Sequence, residues 1–240
     1  MLYIVGIGGG SPEGMTGEAV TAIKRSSLIV GYSVYNELLR PHFPGKEYYS
    51  TGMRQEKERV IFALEQATCG LEVSLVCSGD AGVYGMASLA FELSEGYRDV
   101  EIRVIAGVTA ALSGAALLGS PLTNDFAVIS LSDLLTPWEV IEKRLEGAAA
   151  GDFAIALYNP MSKKRTDGLR KACEIVLKYQ TADTPCGIAV NIGREGESSK
   201  ITTLGGLQNT AVDMFTTVFI GNSVTRIIGG KLVTPRGYII

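Results

Sequence analysis

The chain has 240 residues, of which 46% are hydrophobic and 20% charged, and its formal net charge is −3. This length supports one large or two medium domains, and the composition is typical of a folded globular protein rather than a disordered one. The small net charge disfavours nucleic acid as a partner, since phosphate backbones select strongly basic surfaces.

The apolar runs are too short for a membrane span, which needs about 20 residues. The chain begins on an apolar run without the basic segment of a secretory signal. Its four cysteines, Cys69, Cys77, Cys173 and Cys186, form no Cys-x-x-Cys pair, and its single histidine is His42. We therefore expect a cytoplasmic protein with reduced cysteines, no membrane partner and no protein-bound metal.

The first half alternates short apolar runs with helical patterns. Strands are predicted at 2–7, 28–32, 73–77 and 102–106, and helices near 17–26, 54–68, 84–95 and 109–118. This alternation is typical of βα units around a largely parallel sheet.

Gly119 and Pro121 interrupt the helical pattern, so we expect one domain over 1–119 and a second over 120–240. Further strands are predicted at 126–131, 153–159, 186–192 and 217–222, with helices near 137–147 and 163–179 and a hairpin or edge strand at 198–207. The second sheet is therefore expected to be mixed. The predicted fold class is α/β, with two α/β domains in tandem and the ligand cleft between them.

Four of the five residues from Gly6 to Gly10 are glycine, directly after the first apolar run. A dinucleotide loop needs Gly-x-Gly-x-x-Gly, but the third glycine position falls at Ser11 or Glu13. This spacing disfavours a nicotinamide oxidoreductase. A P-loop needs Gly-Lys followed by Ser or Thr, which the chain lacks, so nucleotide triphosphate chemistry is excluded.

Two more loops of small residues follow predicted strands, at SGDAGVYGMA (78–87) and AGVTAALSG (106–114). Asp80 stands where a helix N-cap would, so simple capping and ligand binding both remain open. The glycines of the first of these loops would let a ligand approach backbone N–H groups. We expect all three loops along the carboxyl edge of one sheet, where open α/β sheets bind ligands.

The loops VGIGGGSPEGMT, SGDAGVYGMA and AGVTAA resemble the signature loops of the tetrapyrrole (class III) S-adenosylmethionine (SAM)-dependent methyltransferases. The stretches SLSDLLTPW, LYNPMSKKR, NIGREGE and VFIGNS are similar to the branch that methylates C-17 of precorrin-3B or cobalt-factor III in cobalamin biosynthesis. The resemblance runs from Leu2 to about Ile239. It implies a homodimer that transfers a methyl group from SAM to a tetrapyrrole, with ring contraction and release of S-adenosylhomocysteine. The alternatives are methylation at another ring carbon and a non-catalytic corrinoid-binding protein.

The resemblance also implies site residues. Cofactor contacts are expected at Gly9, Ser78, Gly79, Asp80, Val83, Thr109, Ala110, Tyr158, Asn159, Asn191 and Ile192. Substrate contacts are expected at Gly8, Gly10, Arg165 and Arg194, of which the two arginines would bind substrate carboxylates. The catalytic residue is unknown; Asp80, Tyr84 and Asp133 are the ionisable candidates, and each also has a structural interpretation.

The family's first loop usually carries a proline where this chain has Gly9, and a proline is also common at the position of Ala106. Glycine allows more backbone conformations than proline, at an entropic cost. We therefore expect a less rigid first loop, and an unusual φ angle at Gly9.

Overall fold

The structure is a computed structural model that describes residues 1–161 and 166–239. The chain divides into two compact units, Met1–Ala110 and Ala111–Ile240. This division lies earlier in the chain than the seam expected after residue 119. The helix predicted near 109–118 therefore belongs almost entirely to the second unit.

The first unit contains a five-stranded sheet in the order β3-β2-β4-β1-β5, in which every neighbouring pair is parallel. Its strands are β1 (Leu2–Gly6), β2 (Leu28–Tyr32), β3 (Glu47–Thr51), β4 (Val73–Cys77) and β5 (Ile102–Ile105). Its helices are α1 (Gly17–Arg25), α2 (Ser33–Leu39), α3 (Glu56–Thr68) and α4 (Ala87–Ser94). Because the strands are parallel, all five carboxyl ends lie at one edge of the sheet.

Helices cover both faces of this sheet, which explains why β1 is apolar throughout. Leu2 and Ile4 pack in one cluster with α3 and α4. Tyr3 and Val5 point to the opposite face and pack with α1 and α2. The sequence did not predict β3 or α2. The edge strand β3 is half exposed and polar, so it lacks the apolar run by which the buried strands were found.

The second unit contains a five-stranded sheet in the order β10-β9-β11-β8-β7. It has both parallel and antiparallel pairs, so the prediction of a mixed sheet is confirmed. Its elements in chain order are α5 (Ala110–Leu118), β6 (Gly119–Ser120), β7 (Phe126–Ser130), α6 (Trp138–Ala150), β8 (Ala154–Tyr158), α7 (Gly168–Val176), β9 (Pro185–Val190), β10 (Ser198–Thr203), α8 (Leu204–Leu207), β11 (Thr216–Ile220), β12 (Arg226–Ile228) and β13 (Lys231–Val233). The last two strands form a small sheet with β6.

In the larger sheet, β7 is parallel to β8, and β11 is antiparallel to both β8 and β9. Strands β7, β8 and β9 therefore run in the same direction, and their carboxyl ends share one edge. The segment 198–207 forms the edge strand β10 followed by the short helix α8. Among the described helices, none combines the length and apolar character that crossing a bilayer demands.

Candidate functional site

In the first unit the glycine-containing loops at 6–14, 78–87 and 106–110 lie side by side, because they follow the neighbouring strands β1, β4 and β5. Gly8 and Gly79 join the first two loops by a reciprocal pair of hydrogen bonds. The Gly8 N–H donates to the Gly79 carbonyl at 3.0 Å, and the Gly79 N–H donates to the Gly8 carbonyl at 2.9 Å. The structure thus confirms that the loops meet at the carboxyl edge of one sheet.

Several glycines at this edge are required by the packing of one loop on another. A Cβ atom at Gly6 would lie 2.7 Å from the Gly107 backbone nitrogen and 2.8 Å from the Gly79 carbonyl oxygen. A Cβ at Gly107 would overlap that same carbonyl oxygen. Within the second loop, a Cβ at Gly85 would overlap the Ala81 carbonyl oxygen. For the second loop the sequence predicts close approach of a ligand at its glycines, and at Gly85 the space beside the Cα is already filled by neighbouring backbone.

The unusual backbone angles of the first loop fall on either side of Gly9. Gly8 has a φ of +54° and Gly10 a φ of +110°, while Gly9 lies outside the positive-φ region. The expectation of an unusual φ at Gly9 is therefore wrong. Proline is confined to negative φ, so the structure is compatible in this respect with the proline that the family usually carries there.

Asp80 connects the second loop to the third. Its Oδ1 accepts hydrogen bonds from the N–H groups of Gly82 at 2.8 Å and Val83 at 3.2 Å. Its Oδ2 accepts a hydrogen bond from the Gly107 N–H at 2.8 Å. Helix α4 begins only at Ala87, so Asp80 does not cap that helix. The capping interpretation is wrong, and Asp80 instead holds a turn and a neighbouring loop in place.

The third loop is held at its beginning by Thr16 and lies against the second loop at Thr109. The Thr16 hydroxyl donates to the Ala106 carbonyl at 3.0 Å and also accepts the Ala19 N–H at 3.1 Å, which caps α1. The Cα of Thr109 lies 3.6 Å from the position of a Cβ on Gly79. Thr109 therefore lies beside the second loop.

A buried arginine that is not among the predicted site residues lies near the same edge. The Arg59 side chain donates from Nε to the Thr51 hydroxyl at 2.7 Å and from Nη2 to the Gly52 carbonyl at 2.9 Å. Its Nη1 lies 3.4 Å from the Met86 sulfur. Burial lowers the pKa of Arg59 from its ordinary value. The sequence signal for Arg59 is its place next to Val60 on the face of α3 that is buried.

In the second unit, candidate residues gather at the shared edge of β7, β8 and β9. The Asn159 side chain donates to the Ser130 hydroxyl at 3.0 Å, which connects the ends of β8 and β7. Asn159 and Asn191 have φ angles of +52° and +50°. Asparagine adopts this left-handed conformation more readily than most residues do, which explains why it occurs after both strands.

Tyr158 and Ile192 contact helix α5. The Tyr158 hydroxyl accepts the Ala111 N–H at 2.6 Å, and this N–H belongs to the first turn of α5, where the helix itself offers no partner. The Ile192 side chain packs in the cluster that contains Phe219. It also lies against Gly114 of α5, where an added Cβ would be 2.9 Å from the Ile192 Cδ1. Both residues therefore contribute to packing in the second unit.

The remaining predicted site residues are Arg194, Asp133 and Arg165. The Arg194 guanidinium lies 5.8 Å from the centroid of the Phe215 ring, at cation–π distance. Asp133 is exposed in the loop after β7. Arg165 lies outside the described residues. Among the residues that are described, no three His, Cys, Asp or Glu side chains are grouped closely enough to bind a metal ion.

The buried cysteines are poor nucleophiles. Burial raises the pKa of Cys77 to about 11, and the pKa values of Cys173 and Cys186 to about 12. A thiol with such a pKa is almost fully protonated at neutral pH, and the thiolate is the nucleophilic form. Cys69 is exposed on the surface.

The overall fold of the chain is similar to that of a solved methyltransferase. The crystal structure titled as the methyltransferase CobJ superposes with a TM-score of 0.90 at 37% identity, covering 98% of this chain and 99% of that one. Residues 1–208 match the family of tetrapyrrole (corrin/porphyrin) methylases. The chain belongs to this family and is a methyltransferase.

Two curated relatives have names that state which ring carbon is methylated. A Salmonella typhimurium protein named probable cobalt-factor III C(17)-methyltransferase is 45% identical over 241 residues, which cover 100% of both chains. A Sinorhizobium protein named precorrin-3B C(17)-methyltransferase is 39% identical, over 99% of this chain and 96% of its own. The chain spans about half the length of two further relatives, 45% of one and 52% of the other.

Proposed function

We propose that this protein transfers a methyl group from SAM to C-17 of precorrin-3B or cobalt-factor III, with ring contraction, in cobalamin biosynthesis. The observation that carries the proposal is full-length similarity, at 45% and 39% identity, to proteins named for this reaction. The alternatives remain methylation at another ring carbon and a non-catalytic corrinoid-binding protein.

For the cofactor, we propose contacts with Gly9, Ser78, Gly79, Asp80, Val83, Thr109 and Ala110 of the first unit, and with Tyr158, Asn159, Asn191 and Ile192 of the second. The hydrogen-bonded pair Gly8–Gly79 and the Asp80–Gly107 bond support the first set, because they fix the loop backbones. Amide, hydroxyl and backbone groups fit the polar parts of SAM, which is both zwitterionic and rich in hydrogen-bonding atoms.

When bound, SAM supplies a methyl group activated on a sulfonium. The protein must then align the attacking ring carbon with that methyl at about 3 Å and keep out water. Such a displacement needs no covalent protein nucleophile. The raised pKa values of the buried thiols are consistent with this chemistry. We name no acid or base, since the Asp80 carboxylate is occupied by backbone donors and Asp133 is exposed on a loop.

For the substrate, we propose contacts with Gly8, Gly10, Arg165 and Arg194. A tetrapyrrole of this class carries several carboxylates, and arginine binds carboxylates through paired N–H groups. The protein as a whole is acidic, so this positive charge must be local. We also propose, from the resemblance, that the protein works in the cytoplasm as a homodimer.

The test is anaerobic incubation of the protein with ¹³C-methyl SAM and either cobalt-factor III or precorrin-3B. We expect one substrate to gain one methyl mass, and NMR to place the labelled carbon on C-17. A labelled methyl on another ring carbon would favour the first alternative. No gain of mass with either substrate would contradict the proposal.

A separate titration distinguishes the second alternative. Calorimetry with S-adenosylhomocysteine should show binding by the proposed enzyme, whereas a corrinoid carrier would bind only the tetrapyrrole. Absence of binding at millimolar S-adenosylhomocysteine would argue against any SAM-dependent activity.

A further inference from the structure

Arg59 is a cation buried at the carboxyl edge of the first sheet, and only 3% of it is exposed. The groups that contact its guanidinium all lie at this edge. Thr51, the last residue of β3, and Gly52 after it accept its hydrogen bonds at 2.7 and 2.9 Å. The Met86 sulfur, near the end of the second loop, lies 3.4 Å from Nη1. The centroid of the Tyr32 ring, at the end of β2, lies 6.0 Å from the guanidinium carbon.

The contacts of this guanidinium are with neutral groups: a hydroxyl, a carbonyl, a thioether and an aromatic ring. None of the ion pairs among the described residues includes Arg59. Glu56, one turn earlier on α3, acts on it electrostatically without pairing with it, and burial is the larger effect, so the pKa of Arg59 is lowered. Since α3 begins at Glu56, the positive partial charge of the helix N-terminus adds to that of Arg59.

A purely structural connection between β3 and the second loop would not need a charged residue. The amide of a glutamine also donates N–H groups to hydroxyl and carbonyl oxygens. Burial of a charge without a charged partner has a large desolvation cost, so buried charges in proteins are ordinarily paired. Arginine cannot avoid this cost by losing its proton, because it stays charged at neutral pH. An anion from outside the chain would explain why the position is occupied by a cation.

The strand order indicates where such an anion would lie. We place the cofactor on the loops that follow β4, β1 and β5, whereas Arg59 lies where β2 and β3 end, on the other side of β4. Adjacent strands are separated by about 4.8 Å, so β3 lies about 10 Å from β4. A ligand that both meets the methyl group and approaches Arg59 must therefore be wide and carry negative charge away from the reacting carbon. A tetrapyrrole with carboxylates around its ring has both properties.

We propose that the buried charge of Arg59 attracts the carboxylates of the tetrapyrrole to the side of the edge where β2 and β3 end. This inference rests on the proposed function. The attraction needs no direct contact, because the field of a charge in a poorly hydrated site is weakened less than in water. The chain has a formal net charge of −3, so the positive potential that a polycarboxylate requires must be local. Arg59 is thus a specificity-determining residue and not a catalytic one.

The test separates the charge of Arg59 from its hydrogen bonds. Arg59→Gln keeps N–H donors and removes the charge, whereas Arg59→Lys keeps the charge and loses the fork of donors. Lys57→Gln is the matched control, because Lys57 is an exposed cation in the first turn of the same helix. Binding of cobalt-factor III is followed by its absorbance, with S-adenosylhomocysteine at saturation. Calorimetry measures S-adenosylhomocysteine binding, and thermal unfolding measures stability.

We expect Arg59→Gln to raise the dissociation constant of cobalt-factor III about tenfold. This is the size that Coulomb's law gives for one unit charge acting over about 12 Å at an effective dielectric constant of about 20. Arg59→Lys should stay within about twofold of the wild type, and so should Lys57→Gln, since solvent screens an exposed charge. Both Arg59 variants should unfold at a lower temperature, because each loses hydrogen bonds. S-adenosylhomocysteine has no net charge at neutral pH, so its affinity should change less than twofold.

Two results would overturn the proposal. One is unchanged binding of cobalt-factor III by folded Arg59→Gln. The other is a tenfold loss of affinity in Arg59→Lys, which would show that the hydrogen bonds and not the charge are needed; this second result decides the matter if Arg59→Gln does not fold. A wild-type protein that binds cobalt-factor III without methylating it would count against the proposed function alone. A wild-type protein that does not bind cobalt-factor III would overturn both.

Discussion

The carboxylate of Asp80 accepts the backbone N–H of Gly107 at 2.8 Å, although the two residues lie in loops that follow different strands. The other oxygen of the same carboxylate holds the N–H groups of Gly82 and Val83. Asp80 therefore fixes the geometry of two loops that we assign to cofactor binding. Hydrogen bonds to an ionised group are stronger than those between neutral groups. Asp80 therefore contributes more than a neutral residue would to holding these loops at the carboxyl edge of the first sheet.

We expect Asp80→Asn to weaken both folding and cofactor binding. Asparagine has one amide oxygen, which can accept, and one NH2 group, which can only donate. The NH2 group would therefore lie against a backbone N–H, either that of Gly107 or those of Gly82 and Val83, and that hydrogen bond would be lost. The free energy of unfolding should fall by about 1–3 kcal/mol, measured by denaturant titration. Calorimetry should show a weaker affinity for S-adenosylhomocysteine.

Asp99→Asn is the control for that change, because Asp99 is an exposed carboxylate in the same unit and loses the same charge. It should leave stability and affinity unchanged. Equal effects from the two substitutions would attribute the result to net charge and would refute the connecting role of Asp80.

Gly107→Ala should destabilise the first unit. The added methyl group would overlap the Gly79 carbonyl and the backbone of Gly6, and neither is a flexible side chain that can move aside. We expect the free energy of unfolding to fall by at least about 2 kcal/mol. Circular dichroism during thermal unfolding would measure the change.

Gly96→Ala provides the comparison, since a Cβ at Gly96 would meet no atom within 4 Å and its φ is not positive. That variant should unfold like the wild type. If Gly107→Ala also unfolded like the wild type, the close contact between the loops would not exist in solution.

Tyr158→Phe should remove the acceptor of the Ala111 N–H at the beginning of α5. An uncapped N–H in the first helical turn costs about 1 kcal/mol, so the unfolding free energy should fall by that amount. Tyr179→Phe, at a tyrosine of the same unit that is 47% exposed, should have no effect. The hydrogen bond would be disproved by equal stabilities of the two variants in denaturant titrations.

Thiol reactivity should separate Cys69 from the three buried cysteines. At pH 8 a disulfide reagent should label one thiol per folded chain rapidly, and Cys69→Ser should abolish that phase. The other three should react only as the protein unfolds, because their raised pKa values leave little thiolate and burial limits access. Rapid labelling of a second thiol would contradict this assignment.

The raised pKa values of the three buried thiols predict that the free energy of unfolding decreases at alkaline pH. A thiol whose folded-state pKa is raised favours the folded protein at low pH, and this contribution disappears as the pH rises above the unfolded value near 9. The unfolding free energy should therefore decline above that pH. Cys77→Ala should make the decline less steep, as measured by denaturant titrations between pH 8 and 10.

The amino-acid sequence by itself determined the α/β class, most of the buried strands and the membership of a methyltransferase family. Buried parallel strands are continuous apolar runs, and glycine loops of fixed composition follow them, so both signals are local in the chain. The second sheet was also predicted to be mixed. The half-exposed strand β3 and the short helix α2 carry no such signal and were missed.

Only the tertiary structure decided how the site is assembled. The strand order β4-β1-β5 brings Gly8 to Gly79 and Asp80 to Gly107, and this order cannot be derived from periodicity along the chain. In the same loops the positive φ angles fall at Gly8 and Gly10 rather than at Gly9, and Asp80 connects two loops instead of capping a helix. The interactions of a residue there depend on partners that are distant in sequence, which is why only the packing of the loops decides what each side chain contacts.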